Sequence, residues 1–223
     1  MSKAILVTGS SGQLGREVVK QLREAGRNVI GIDLLPGSQT DHSIDIRDQG
    51  LVAEICQEAD SIIHTAALHG RQVAAGLARR PFIEVNITGT FNLLEGALAA
   101  GHRRFLLTTS TSVYGQAMVH PDQAVWVDED LTPQARDVYD ITKLAAEGLC
   151  KDFWEKDGLS TVVLRPSRFL PEPPNVVANH RLYRGLDVSD AARGHILALD
   201  KEALPWGIFN LSASSPFQQN ELV

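Results

Sequence analysis

Ala4-Ile5-Leu6-Val7-Thr8-Gly9-Ser10-Ser11-Gly12-Gln13-Leu14-Gly15 is the stretch that decides the fold. Ala4–Thr8 carries no charge and has the length of a strand buried on both faces. Gly9 permits a tight turn out of that strand, Gly12 lets backbone approach a phosphate, and Gly15 lets the next helix pack on the sheet. From Gln13 to Ala25, Leu14, Val18, Val19 and Leu22 recur at helical spacing, and Gly26 stops the run. A helix beginning there aims its free N–H groups and positive dipole end at the turn, which suits a pyrophosphate. The competing reading is a glycine-bearing loop with no ligand. The strand before and the helix after favour a dinucleotide-binding turn.

Beyond this unit, short apolar runs alternate with longer helical patterns, which predicts an α/β fold with a doubly wound parallel sheet of the Rossmann type. Strands are expected at Val29–Asp33, Ser61–His64, Arg104–Thr109, Thr161–Leu164 and Ile208–Leu211. Helices are expected at Phe82–Ala100, Asp137–Lys156 and Asp190–Leu199. Residues 1–165 read as the dinucleotide-binding domain, and 166–223 as a minimal substrate-binding region interleaved with the last strand. Phe217–Val223 reads as the start of a helix that stops short. Two stretches lack periodicity, Gln116–Pro133 and Pro166–Leu186. The second holds Pro166, Pro171, Pro173 and Pro174 with Arg168, Arg181 and Arg184. Long loops of this kind in a compact domain are usually functional.

Asp33 ends the second strand 18 residues after Gly15. A carboxylate there accepts from the adenosine ribose hydroxyls and repels a 2′-phosphate, so NAD is favoured over NADP. No arginine follows it directly. Asp45-Ile46 is placed to flank the adenine, although an acidic loop residue explains Asp45 nearly as well.

The 223 residues suffice for one α/β domain, with 43% hydrophobic and 22% charged residues. A net charge of -6 lacks the basic surplus of a nucleic-acid platform. The first apolar run is too short for a signal peptide or membrane helix, so a cytoplasmic protein without membrane or nucleic-acid partners is expected. Cys56 and Cys150 fall in helical segments and read as reduced structural thiols, and no metal site is expected.

Tyr139 and Lys143 stand four apart in a helical segment and share a face. An ammonium beside the phenol is expected to lower its pKa from about 10 toward neutrality, making Tyr139 a general acid/base. The strand Phe105-Leu106-Leu107 runs into Thr108-Thr109-Ser110-Thr111-Ser112. Hydroxyls at the carboxyl end of a parallel strand face the ligand crevice, although plain turn chemistry accounts for them equally well.

In order, Thr8-Gly9-x-x-Gly12-x-x-Gly15, Asp33, His64-Thr65-Ala66-Ala67, Asn86, the hydroxyl strand ending Val113-Tyr114-Gly115, and Tyr139-x-x-x-Lys143 resemble the extended short-chain dehydrogenase/reductases. Among these the chain is most similar to the NAD-dependent epimerase/dehydratase family, over about residues 3 to 211. The resemblance implies Ser110 as the catalytic hydroxyl, Tyr139 as acid/base, and Lys143 as its activator and ribose ligand. Gly9, Ser11, Gly12, Gln13, Leu14, Gly15, Asp33, Asp45, Ile46, Ala66, Ala67, Asn86, Thr108, Tyr139, Lys143 and Pro166 would contact NAD. His69, Ser110, Thr111, Ser167, Arg168 and Arg181 would face substrate. Asp187-Val188-Ser189-Asp190 resembles the family's segment near the substrate region. Members often pair through helices equivalent to Phe82–Ala100 and Asp137–Lys156, so a homodimer is expected.

The implied activity is oxidation, reduction or epimerisation at a hydroxyl of a sugar or nucleotide-sugar-like small molecule. Two departures qualify the substrate. Arg168 stands where nucleotide-sugar members usually carry asparagine, and Thr111-Ser112 stands where dehydratases commonly carry an Asp-Glu pair. Pro171-Glu172-Pro173-Pro174-Asn175 with Arg181 resembles the uronate dehydrogenase branch, where an arginine-bearing loop meets a free sugar acid. Solvated loop charges are the competing account of the arginines. A non-catalytic NAD-binding regulator on this fold is the other class considered. Such proteins typically lose the catalytic tyrosine, whereas Tyr139, Lys143 and Ser110 are all present.

Overall fold

The computed structural model describes residues 4–169 and 171–216. Seven parallel strands form one sheet: β1 (Ala4–Thr8), β2 (Val29–Asp33), β3 (His42–Ser43), β4 (Ala59–His64), β5 (Arg104–Thr108), β6 (Thr161–Pro166) and β7 (Trp206–Leu211). Their order is β3-β2-β1-β4-β5-β6-β7. The winding reverses between β1 and β4, and the crevice beyond their carboxyl ends is where open α/β sheets bind ligands. The doubly wound fold read from the sequence is the fold observed.

The period-2 alternation of each strand assigns its side chains to two cores. Ile5, Val7, Ile63, Leu106 and Val162 point to one face, where they meet Leu14, Val18, Val19 and Leu22 of α1 (Gln13–Glu24) and Ala191, Ala192 and Leu199 of α8 (Val188–Asp200). Leu6, Ile32, Ile62, Phe105, Leu107 and Val163 point to the other. There they meet α2 (Gln49–Cys56), α5 (Gly89–Ala99) and α6 (Val138–Asp157). Cys56 and Cys150 are buried free thiols in that second core.

The helix expected over Phe82–Ala100 begins earlier, as α4 (Arg79–Phe82), and passes through a π-helical turn at Ile83–Thr88 before α5. Asn86 lies in that wide turn. α6 starts on Asp137, whose carboxylate accepts from the Asp140 N–H at 3.1 Å, which fixes where the Tyr139 face begins. Two short helices are added: α3 (Gly70–Ala74), and α7 (Pro174–Tyr183) inside the stretch that lacks periodicity. α7 buries no residue, so it has no apolar stripe to read. The helix start read at Phe217–Val223 lies outside the described residues.

Candidate active site

The glycine turn sits at the winding reversal. Gly9 has φ +75°, and a Cβ there would lie 2.7 Å from the Ala66 amide nitrogen, so only glycine fits between β1 and the loop after β4. A Cβ at Gly15 would strike the Gly9 carbonyl. α1 is capped by Gly12, which has no side chain to satisfy its first N–H groups, and its first turn holds no acidic residue. That leaves donors and a positive helix end facing the crevice. Asp33, at the end of β2, lies against the turn. Its carboxylate accepts from the Ser11 N–H at 3.0 Å and the Leu35 N–H at 2.9 Å, tying β2 to the turn.

Tyr139, Lys143 and Ser110 meet where β5 and α6 converge. Tyr139 is 7% exposed and Lys143 is 4% exposed. The Lys143 ammonium donates to the Thr108 carbonyl at 3.0 Å, and burial lowers its pKa to about 8 against the opposing pull of Glu147. The Ser110 hydroxyl accepts from the Ser112 N–H at 3.0 Å and lies near enough to Tyr139 to favour its phenolate. The expectation of a phenol pKa lowered by Lys143 is corrected. Burial pushes Tyr139 upward, Asp140 and Asp137 add to the rise, and the Ser110 hydroxyl only partly opposes it. A shared helix face brings the two residues together, but the amine reaches the strand end, and desolvation dominates the phenol. In this state Tyr139 holds its proton firmly.

The site rests on a polar frame beneath it. Glu147 accepts from Arg165 at 2.9 and 2.6 Å and from the Thr109 hydroxyl at 2.8 Å. Arg165 also donates to the Tyr114 hydroxyl at 2.9 Å, which donates to Asn210 at 3.0 Å. The frame locks α6 to the ends of β5, β6 and β7, one helical turn from Lys143.

Several sequence-assigned residues take other places. Asn86 spends its amide on the loop after β4. It accepts from the Leu68 N–H at 2.8 Å and donates to the Leu68 carbonyl at 2.9 Å and the Thr142 hydroxyl at 3.0 Å. It positions that loop rather than presenting a free group to a cofactor. The Thr108 hydroxyl pairs with His195 at 2.8 Å, below the sheet end. The Ile46 side chain is buried against α5, so only its backbone remains for an adenine. Asp45 is held by Arg47 at 3.0 and 2.5 Å, which lowers its pKa. Arg181 pairs with Asp187 at 3.0 Å, on the α8 cap. Ala66 and Ala67 lie on the loop facing the turn, with the Ala66 N–H donating to the Thr8 hydroxyl at 3.2 Å. Thr111 reaches the Pro166 carbonyl at 3.5 Å, and Ser167 is buried with its hydroxyl unpartnered.

His69 caps α3, and its ring lies 5.7 Å from that of Tyr139. Its Nδ1 accepts from the Arg71 N–H at 3.1 Å, so the neutral ring keeps its proton on Nε2. Burial, then the charges of Arg71, Lys143 and Arg168, lower its pKa. Glu172, which sequence reading did not single out, joins Arg71 to Arg168. No sequence period marks it, because Arg71 comes from α3, 101 residues away in the chain. Among the described residues no cluster of three metal-binding side chains occurs, and no helix is long and apolar enough to cross a membrane.

A glycine turn at the winding reversal, an acidic residue ending β2 and a Ser-Tyr-Lys set at the end of β5 are features of the dinucleotide-binding Rossmann class. Residues 5–180 match the model of the NAD dependent epimerase/dehydratase family, and the chain belongs to that family, whose members include extended short-chain dehydrogenase/reductases. A UDP-glucose 4-epimerase of Oryza sativa subsp. japonica is 29% identical over 211 residues, 80% of this chain and 55% of its own length. A 3-beta-hydroxysteroid dehydrogenase of Mycolicibacterium neoaurum is 34% identical over 175 residues, covering 73% of this chain and 46% of its own. The chain thus spans about half the length of the curated relatives it matches. Among solved structures, a short-chain dehydrogenase/reductase superfamily protein from Agrobacterium tumefaciens with bound NAD superposes with TM-score 0.80 at 28% identity, covering 96% of this chain and 79% of that one.

Proposed function

We propose that this chain binds NAD across the β1/β4 crevice and catalyses oxidation, reduction or epimerisation at a hydroxyl of a sugar or nucleotide-sugar-like substrate. The observation that carries the reading is that buried Tyr139 and Lys143 lie with Ser110 at the carboxyl end of β5, the same end of the parallel sheet as the glycine turn after β1. The turn suits the cofactor because its capless helix end and glycine-only contacts leave backbone room and donors for a pyrophosphate. Gly9, Ser11, Gly12, Gln13, Leu14 and Gly15 would hold the phosphates, and Asp33 the adenosine ribose. Ala66, Ala67 and the backbone of Ile46 would border the adenosine half, with Lys143 and Pro166 toward the nicotinamide half. Bound NAD supplies the two-electron acceptor and donor.

The chain's own part is the proton. Ser110 takes a hydrogen bond from the Ser112 N–H, which leaves its hydroxyl to orient toward Tyr139 and a substrate oxygen. Tyr139, neutral through burial, holds a proton at its phenol oxygen for transfer to that oxygen and receives one in the reverse direction. Glu147 opposes the effect of burial on the Lys143 charge, and the Thr108 carbonyl anchors its ammonium beneath the site. Asn86 holds the loop that carries His69 to the Tyr139 ring. Ile83, Phe91, Leu98 and Ile141 are exposed on the 79–99 helix and α6, which supports a homodimer through these helices.

A screen at 340 nm with NAD and free uronates, aldoses and nucleotide sugars tests the reading. NADH formation assigns a dehydrogenase, and an altered sugar without net reduction assigns an epimerase. No turnover of any of these classes contradicts the proposal.

A further inference from the structure

Two guanidinium groups 97 residues apart in the chain converge on one carboxylate. Arg71, in α3 after β4, donates to the Pro171 carbonyl at 2.7 Å and to Glu172 Oε1 at 3.3 Å. Arg168, two residues past β6, pairs with the same Oε1. The Arg168 Nε is buried and unpartnered, so the two arginines offer donors that Glu172 does not use. The cluster adjoins the reacting group: His69, two residues before Arg71, faces the Tyr139 ring and feels the charge of Arg168.

Besides the Arg71 bond to the Pro171 carbonyl, the residues flanking Glu172 have few anchors. Gln13 donates to the Phe169 carbonyl at 3.1 Å, and α7, which follows, buries no residue. The Arg71 side chain is half-exposed and that of Arg168 is partly exposed, so their ion pairs with Glu172 contribute little to stability. A planar anion presented with two oxygens would satisfy both arginines better than the single Oε1 does.

We propose that Arg71 and Arg168 form an oxyanion subsite beside Tyr139, and that Glu172 is its built-in competitor. An anionic substituent of the substrate, carboxylate or phosphate, takes the place of Glu172 at the two guanidinium groups. The subsite excludes neutral sugars because they cannot displace a carboxylate from two guanidinium groups. This inference rests on the reading of Tyr139 as the reacting group.

The test is calorimetric titration of D-galacturonate, UDP-galactose and neutral D-galactose into the full chain, with and without saturating NADH. It compares the wild type, Glu172→Gln and Arg168→Gln, each checked by thermal melting. Glu172→Gln removes the competitor's charge and is expected to tighten at least one anionic sugar by about threefold or more, with galactose and NADH affinity unchanged. Arg168→Gln is expected to weaken the same sugar by about tenfold, the worth of one charge-assisted hydrogen bond. A gain for galacturonate assigns the subsite to a carboxylate, and a gain for UDP-galactose to a phosphate. No gain for either anion, an equal gain for galactose, or altered NADH affinity in Glu172→Gln overturns the inference. Failure of the wild type to bind NADH counts against the cofactor reading alone, since the titrations without NADH still decide the subsite.

Discussion

Asn86→Ala removes three hydrogen bonds that bind the loop after β4 to α6. The lost contacts are the Leu68 N–H at 2.8 Å, the Leu68 carbonyl at 2.9 Å and the Thr142 hydroxyl at 3.0 Å. Asn86 is 1% exposed and Thr142 is fully buried, so water does not readily replace what is removed. At about 1 kcal/mol net per bond, the variant should lose roughly 3 kcal/mol. The Thr142 hydroxyl also donates to the Tyr139 carbonyl at 2.9 Å, so the loss reaches the first turn of α6. Activity should therefore fall as well, through a looser His69 and Tyr139 rather than through lost chemistry. Urea unfolding followed by circular dichroism gives the stability change, with an unchanged m-value required for the comparison. A loss below about 1 kcal/mol would refute the clamp, because the three bonds could not then be holding the loop.

Acid should weaken the fold through two buried imidazoles. His64 sits between Thr8 and Thr90 with its pKa lowered by burial to about 3, and His195 sits between Thr108 and Ala191 with its pKa lowered to about 4. The folded values lie below the unfolded one near 6.5, so the unfolded chain takes protons first and stability falls as pH drops below about 6.5. Between pH 7 and 5 the two together should cost roughly 3 to 4 kcal/mol. A urea midpoint that does not move between those pH values would show that the rings are not held neutral. Asp33→Ala should weaken NADH and narrow the preference against NADPH, read by fluorescence titration of both cofactors. Unaltered preference would remove Asp33 from the ribose.

The sheet was legible because its physics is local. β2 lies at the expected Val29–Asp33, and α1 fills the expected helix, because strand alternation and the α1 stripe are both written in consecutive residues. The gathering of Tyr139, Lys143 and Ser110 was legible from helical spacing and from the strand that ends in hydroxyls. Their electrostatics were not, since spacing says nothing of burial, and burial sets the Tyr139 phenol. Asp45, left open between an adenine contact and a loop charge, pairs with Arg47 two residues on, a contact that spacing alone does not reveal. α7 lacked an apolar stripe because it has no core to face. The pairing of Glu172 became visible only when Arg71, 101 residues away in the chain, met it at the oxygen that Arg168 also holds.

Tyr139→Phe tests the central claim most directly, with turnover and NADH affinity measured on the same preparation. The substitution removes one oxygen from a buried ring and leaves the glycine turn and Asp33 untouched. The account predicts that kcat falls by about 10²–10⁴-fold, the worth of a positioned acid/base, while NADH binds as in the wild type. Turnover that survives the substitution would contradict it, because the proton would then be moving through another group.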